Sequence, residues 1–251
     1  MNKDEQIVLK RVRDLAYQAD TRGYTTYTDF LNMNEQSIFL TNLKELPPVH
    51  YQMWGGYEDA ERKMIAFFTS DEILANEYDI KMLEIKPANA KFADSLSHRD
   101  YLGALMNMGI ERCRLGDILI KDNCGYVFTD SIIGSYIESS LTKIKHTTVT
   151  CSLKEIEEID VTPEFREIRT TIASARLDAA IAAVFKTSRS SITGLISGGK
   201  VFVNSKLIES NSYTLKDDDI VSVRGHGKFI FKGINNQTKK GRLSATFLKY
   251  I

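Results

Sequence analysis

Apolar residues along the chain recur at helical spacing, then at strand spacing, and the two periods alternate to the end. Ile7, Val8, Val12 and Leu15 share one side of a helix predicted over residues 4–19. A second helix is predicted over 34–45, and Pro47-Pro48 ends it because proline cannot continue the backbone ladder. Strands are predicted over 50–54, stopped by Gly55-Gly56, and over 64–68, with a short polar, helix-prone piece at 58–62 between them. A glycine turn with a packed Trp accounts for Trp54-Gly55-Gly56-Tyr57 better than a ligand loop does. Residues 78–85 read as a strand broken by Pro87, and Ser97 opens a helix through Met108 that Gly109 terminates. Strands over 115–121 and 126–129 flank Asp122-Asn123-Cys124-Gly125, and Asp130 or Ser131 caps a helix to about Leu141. Residues 143–151 alternate as one more strand.

The last third carries the most regular pattern. Leu177, Ala180, Ile181, Val184 and Phe185 make one helical stripe; Ser188 can cap the next helix, whose apolar face is Ile192, Leu195 and Ile196. Gly198-Gly199 stops that helix, Val201 and Val203 alternate with Phe202 as a strand, and Asn204-Ser205 forms the turn into Lys206-Leu207-Ile208. Asp217 to Arg224 closes the small hairpin sheet, and further strands are expected at 228–231 and 244–248, with a basic loop, Asn235 to Lys240, between those two.

These elements predict an α/β (α+β) protein in parts: an N-terminal α/β domain over 1–75, a central unit over 76–160, a domain of two helices and a small sheet over 172–235, and a basic β tail over 236–251. The central order strand–helix–strand–strand–helix–strand is that of a ferredoxin-like or RRM-like split unit, which many RNA-binding folds use. An acidic connector from Glu155 to Pro163 joins it to the last domain.

Charge sharpens the picture. The formal net charge is zero, yet 172–251 holds 13 Lys and Arg against 5 Asp and Glu, leaving 20 against 28 for the rest. A basic end of +8 joined to a front of −8 is the electrostatic footprint of a nucleic-acid module. No apolar run is long enough to span a bilayer and the first residues lack a signal-peptide core, so the expectation is a cytoplasmic protein without membrane insertion. Cys113, Cys124 and Cys151 form no CxxC pair and the four histidines are scattered, so neither a metal site nor a cofactor is expected.

The series Arg176-Leu177-Asp178, Ser188-Arg189, Ile196-Ser197-Gly198-Gly199-Lys200, Val201-Phe202-Val203-Asn204 and Asp217 to Arg224 resembles the S4 RNA-binding domain. Ser188, Arg189 and Ser190 place a guanidinium and hydroxyls at a helix start, where N–H groups favour phosphate. Arg176, Lys200, Asn204, Lys206, Arg224 and Lys228 are the other candidate RNA contacts. The resemblance implies that the helix pair docks on structured RNA with Arg189 near the centre, by shape and backbone more than by base edges.

Three motifs with a catalytic look are set aside. Gly194 to Lys200 fits GxxxxGK, but Val201 replaces the magnesium-binding hydroxyl and a helix feeds a strand, the reverse of a phosphate loop. His98-Arg99-Asp100 matches a kinase tripeptide, yet Leu105 stands where that loop needs Asn; Ser97 capping a helix with Asp100 at its third position explains it better. Arg176-Leu177-Asp178 is similar to the aspartate tripeptide of pseudouridine synthases, but the chain after it is too short for their catalytic domain.

Val49-His50-Tyr51-Gln52-Met53-Trp54-Gly55-Gly56-Tyr57-Glu58 with Ala60-Glu61-Arg62 resembles a signature of the YlmH family. So do Ser97 to Met106, Gly109-Ile110-Glu111-Arg112, Gly116-Asp117-Ile118, and Val223 to Phe229 with Thr238 to Arg242. The resemblance implies a non-catalytic role in ribosome-associated quality control. The partners it implies are ribosomal RNA and tRNA, large subunits obstructed by peptidyl-tRNA, and other quality-control factors. There the protein would support template-free tailing of the stalled chain. An RNA-modifying enzyme and a cell-division interaction protein are the rival readings. One departure is Asn204-Ser205, where S4 domains usually have Asn-Gly; serine disfavours a tight primed turn.

Overall fold

A computed structural model describes residues 3–69, 78–156, 165–238 and 241–250. Residues 157–163 of the expected connector, Lys239-Lys240 of the expected basic loop and the expected 75/76 boundary lie outside the described residues. Two compact units form: Met1–Glu35 with Asn42–Val161, and Gln36–Thr41 with Thr162–Ile251. Helices and antiparallel sheets share the chain, as the alternating periods predict.

The first unit opens with α1 (Lys3–Arg22), β1 (Thr26–Tyr27), the first residues of α2 (Met33–Thr41, of which Gln36–Thr41 belongs to the second unit), β2 (His50–Trp54) and β3 (Met64–Phe68). The strands pair antiparallel in the order β1-β3-β2, with Thr26 opposite Phe67 and Trp54 opposite Met64. The second predicted helix is shorter than expected, ending at Thr41, with a separate 3₁₀ turn over Leu43–Glu45. Residues 58–62 are a turn rather than a helix, because Asp117 captures the N–H groups of Glu61 (2.7 Å) and Arg62 (3.0 Å). The glycine turn before it is dictated by crowding. A Cβ at Gly55 would lie 2.3 Å from the Arg62 carbonyl, and one at Gly56, where φ is +102°, 2.5 Å from the Phe128 ring.

The unit continues with β4 (Lys81–Pro87), α3 (His98–Asn107), β5 (Leu115–Lys121), β6 (Cys124–Thr129), α4 (Ser131–Ser140), β7 (Lys143–Ile144) and β8 (Thr147–Lys154). Their sheet runs β5-β6-β4-β8-β7, so the outer strands of the split unit flank β4 and β6. Pro87 closes β4 as its last paired residue, opposite Val149, where a missing N–H is tolerated. The predicted strand over 143–151 is instead a hairpin: Lys145 takes φ of +52° and Ile144 pairs back on Thr147. One sheet face carries Leu83, Ile85, Ile118 and Val127 into a core with Tyr101, Leu105 and Ile137 from α3 and α4. The opposite face is covered as well, because Met82 and Phe128 are buried with Phe30, Ala66 and Phe68 from the N-terminal elements.

The second unit contains β9 (Phe165–Ile172), α5 (Leu177–Phe185), α6 (Arg189–Ser197), β10 (Val201–Val203), β11 (Lys206–Leu207), β12 (Asp219–Val223), β13 (Gly227–Gln237) and β14 (Leu243–Tyr250). They make one six-stranded sheet, β11-β10-β12-β13-β14-β9. The helical stripe of Leu177, Ala180, Ile181 and Val184 joins Ile192 and Ile196 against Val201, Val203, Val221, Val223, Phe229 and Phe247. Fully burying such side chains contributes about 1.5–3 kcal/mol each. The stretch before Ala175 is a strand, and β13 runs through the expected loop as far as Gln237. β14 is bonded on both sides, by β13 and β9, so residues 243–250 are interior to the sheet rather than a tail. The Asn204-Ser205 turn does close as a two-residue primed turn, φ +48° and +63°, with Val203 opposite Lys206. Asn204 compensates for the serine: its side-chain amide donates to Asp219 Oδ1 (2.8 Å) and its oxygen accepts from Ile220 N–H (2.9 Å).

Candidate nucleic-acid interface

The interface is built around the start of α6. Ser188 takes extended backbone angles and its hydroxyl accepts from Ser191 N–H at 3.3 Å, so the cap predicted from sequence is formed. Capping leaves other N–H groups of the first turn for a ligand anion. Arg189 and Ser190 follow it, both exposed, and Arg189 has no ion-pair partner among the described residues. Further along the same helix, a Cβ at Gly194 would meet nothing within 4 Å, so that position is open.

The remaining candidates divide by position. Arg176 precedes α5 and its guanidinium donates to both Asp178 oxygens, at 3.0 and 3.2 Å. Asp178 is 6% exposed and also accepts from Ala179 N–H, which makes it the buried half of an ion pair. Lys200 and Arg224 sit side by side, since Arg224 N–H donates to the Lys200 carbonyl at 2.9 Å. Asn204 and Lys206 occupy the other end of the three-residue β10, roughly 10 Å away at strand spacing. Both polar groups of the Asn204 amide belong to the turn. Arg224 lies 5.0 Å from the Phe202 ring and Lys228 4.5 Å from the Tyr250 ring. Lys228 pairs with Ser222, between core residues Val221 and Val223, so both point to the sheet face away from α5 and α6.

Two groups near α6 are invisible to motif reasoning. Phe185, at the end of α5, stacks edge-on with His226 (5.8 Å) and lies under the Lys249 ammonium (5.0 Å). Exposed Lys186 then leads into Ser188 in the left-handed conformation, φ +53°. Lys249 and His226 therefore meet at Phe185, the end of α5, with Lys186 next in the chain. Lys186 and Lys249 carry no sequence signal beyond the basic bias of the last third, whereas His226 stands in the signature stretch Val223 to Phe229, in the tight turn Gly225-His226-Gly227.

In the first unit, the signature stretches converge on Asp117. Its carboxylate, 9% exposed, accepts from the Tyr57 hydroxyl (2.8 Å) and from Glu61 and Arg62 N–H. Arg62 donates to the carbonyls of Leu115 (2.9 Å) and Phe30 (2.7 Å), and Arg112 to those of Leu115 (2.6 Å) and Gly116 (3.0 Å). Burial, then the neighbouring Arg62 charge, lower Arg112 to about 10; burial and then Asp117 push the Tyr57 phenol far up, so it stays a donor. Every polar end here has an internal partner, so the cluster is a clamp between the turn at Gly55-Gly56 and β5. His98-Arg99-Asp100 is likewise a helix start: Asp100 accepts from Ser97 N–H (2.8 Å) and hydroxyl (2.7 Å).

Residues 4–83 match a family model described as "YlmH, N-terminal", 74–158 one described as "Putative RNA-binding domain in YlmH", and 175–221 the S4 domain. The chain is 30% identical over 249 residues to ribosome-associated protein quality control protein P2 of Bacillus subtilis (strain 168), covering 98% of this chain and 95% of that protein. A solved structure, cell division protein ylmH from Streptococcus pneumoniae, shares the fold with a TM-score of 0.52 at 18% identity, over 64% of this chain and 97% of that one. Front, centre and C-terminal S4 domain all match, and the chain belongs to the YlmH family.

Proposed function

We propose that this protein binds RNA on the ribosome in quality control of stalled translation, acting by binding rather than by catalysis. Its site is the large subunit obstructed by peptidyl-tRNA, where it contacts ribosomal RNA and tRNA and supports template-free tailing of the stalled chain. The observation that carries the reading is Arg189, exposed and without an ion-pair partner among the described residues, at the capped start of the S4 helix α6. A guanidinium beside unsatisfied helix N–H groups is a phosphate site. The name of the Bacillus relative supports the setting. The enzyme reading is weakened by Asp178, the one aspartate in a synthase-like tripeptide, which is buried and bonded to Arg176. Gradient sedimentation of cell lysate tests the proposal: the protein is expected with large-subunit particles, and its absence from all ribosomal fractions would overturn it.

A further inference from the structure

The central unit has the strand order of an RRM-like fold, whose RNA-binding members stack bases on the sheet face away from the helices. Here that face is closed across its middle, because Phe128 and Met82 are fully buried beneath Phe30, Ala66 and Phe68. An RNA contact by this unit needs another surface.

The helix side offers one. A groove of about 550 Å³ lies among α3, the end of α4 and the β7–β8 hairpin, lined by Arg99, Gly103, Asn107, Ser140, Lys143 and Lys145. Its one carboxylate among the described lining residues, Asp100, is already paired with Lys145 at 2.7 Å. Arg99 and Lys143 are exposed and have no ion-pair partner among the described residues. Ser140, Thr142 and Asn107 add neutral hydrogen-bonding groups on the same walls.

Gly103 is a second, independent pointer to an occupant. It sits inside the ten-residue α3, where glycine disfavours the helix relative to alanine. Packing does not call for it, because a Cβ there would meet nothing within 4 Å. A missing side chain on a groove wall lets an occupant approach the helix backbone closely. The flanking cations ask for an anion, and a groove rather than a closed pocket suits a chain of them.

The geometry points to this groove as a second RNA-binding surface, taking the phosphodiester backbone of ribosomal RNA between Arg99 and Lys143 with Gly103 on its wall. The inference rests on the RNA-binding reading above and adds a surface remote in sequence from the S4 domain. It makes the chain bivalent for RNA, so each surface raises the apparent affinity of the other when both reach one molecule.

The test uses the full chain and purified large-subunit ribosomal RNA as the probe, titrated at several salt concentrations. R99A/K143A is expected to bind roughly tenfold more weakly, with a salt slope flatter by about 0.7–0.9 for each phosphate that is no longer neutralised. G103E places a carboxylate in the groove and is expected to give a similar loss with no drop in melting temperature, since glutamate favours a helix over glycine. Wild-type binding by both variants, alongside weakened binding by R189A, overturns the groove and leaves the S4 surface standing. No binding by the unaltered chain overturns both. A poly-glutamate peptide bound by the unaltered chain but not by R99A/K143A, with RNA binding unchanged, assigns the groove to an acidic protein segment and overturns the RNA inference.

Discussion

The Tyr57 hydroxyl donates to Asp117 Oδ2 at 2.8 Å, across 60 residues of chain. It is one of three donors that Asp117 receives from the turn after β2, the others being Glu61 and Arg62 N–H. Asp117→Ala leaves those donors unpaired beside two partly buried guanidinium groups, and is expected to destabilise the first unit by about 3 kcal/mol or more. Tyr57→Phe removes one donor while two remain, for about 1–2 kcal/mol. Urea unfolding of both variants checks the order; Tyr57→Phe keeps the ring on Phe128, at 5.1 Å between centroids, so a larger effect for it would mean that the phenol hydroxyl rather than the Asp117 carboxylate holds the turn.

The place of β9 sets where the C-terminal unit can be cut. Every residue from Phe165 to Ile172 pairs with β14, and Ile172 is 2% exposed in the core. A fragment starting at Ser174 loses that ladder and bares the edge of β14, whereas one starting at Thr162 keeps it. The shorter fragment is expected to melt clearly lower or to aggregate. Equal melting temperatures would show that β9 is dispensable to the S4 unit.

Local signals made much of this fold readable. His50–Trp54 is a strand where the pattern puts it because Gly55-Gly56 stops it, and α5 and α6 follow their apolar stripes and the Ser188 cap. Two kinds of feature left no such trace. β9 is mostly exposed, its alternation is confined to Ile168, Thr170 and Ile172, and its partner lies more than 70 residues on. The turn at Lys145 adopts a left-handed conformation at a residue with no preference for it. For the candidate site, Arg189 was legible because a cap is a local event. The Asp117 clamp and the Phe185–His226–Lys249 contacts join distant segments, which periodicity cannot register.

Asp100 links the start of α3 to the β7–β8 hairpin and gives a pH dependence of known sign. The hydrogen bond from Lys145, then those from Ser97 N–H and hydroxyl, hold its carboxyl down at about 2. A depressed carboxylate stabilises the fold above its unfolded value, near 3.9, and loses that contribution as pH falls through the folded value. The melting-temperature difference between the unaltered chain and Asp100→Asn is therefore expected to be constant above about pH 5 and to shrink between about pH 4 and 2. A difference independent of pH over that window would mean that the carboxylate charge contributes nothing.

Arg189→Ala separates binding from folding. The side chain is exposed and makes no ion pair among the described residues, Asp178 being held by Arg176 instead. Stability is expected to change by about 0.5 kcal/mol or less. RNA binding is expected to weaken by roughly 1–3 kcal/mol, and the salt slope to flatten by about 0.7–0.9. Arg189→Lys should recover part of the affinity, because an ammonium meets phosphate as a point charge without the bidentate fork. A large fall in melting temperature with an unchanged salt slope would assign Arg189 to structure.

Ser205 tests how the second unit accommodates the family departure at its hairpin. The residue sits at φ +63° in a turn whose first position, Asn204, is at +48°. Left-handed backbone costs a residue bearing a Cβ about 1 kcal/mol, and glycine avoids that cost. Glycine also gives up more freedom on folding, which offsets part of the gain. Ser205→Gly is accordingly expected to stabilise the unit by about 0.5 kcal/mol, seen as a small rise in melting temperature. Asn204→Ala should act in the opposite direction and more strongly. It removes both the bond to Asp219 and the acceptor for Ile220 N–H, at a cost of about 1–2 kcal/mol. In the double variant the glycine gain should persist if the backbone angles alone set it. If Ser205→Gly stabilises only while Asn204 is present, the asparagine bonds are what hold the turn in its primed geometry, and the serine is tolerated because of them.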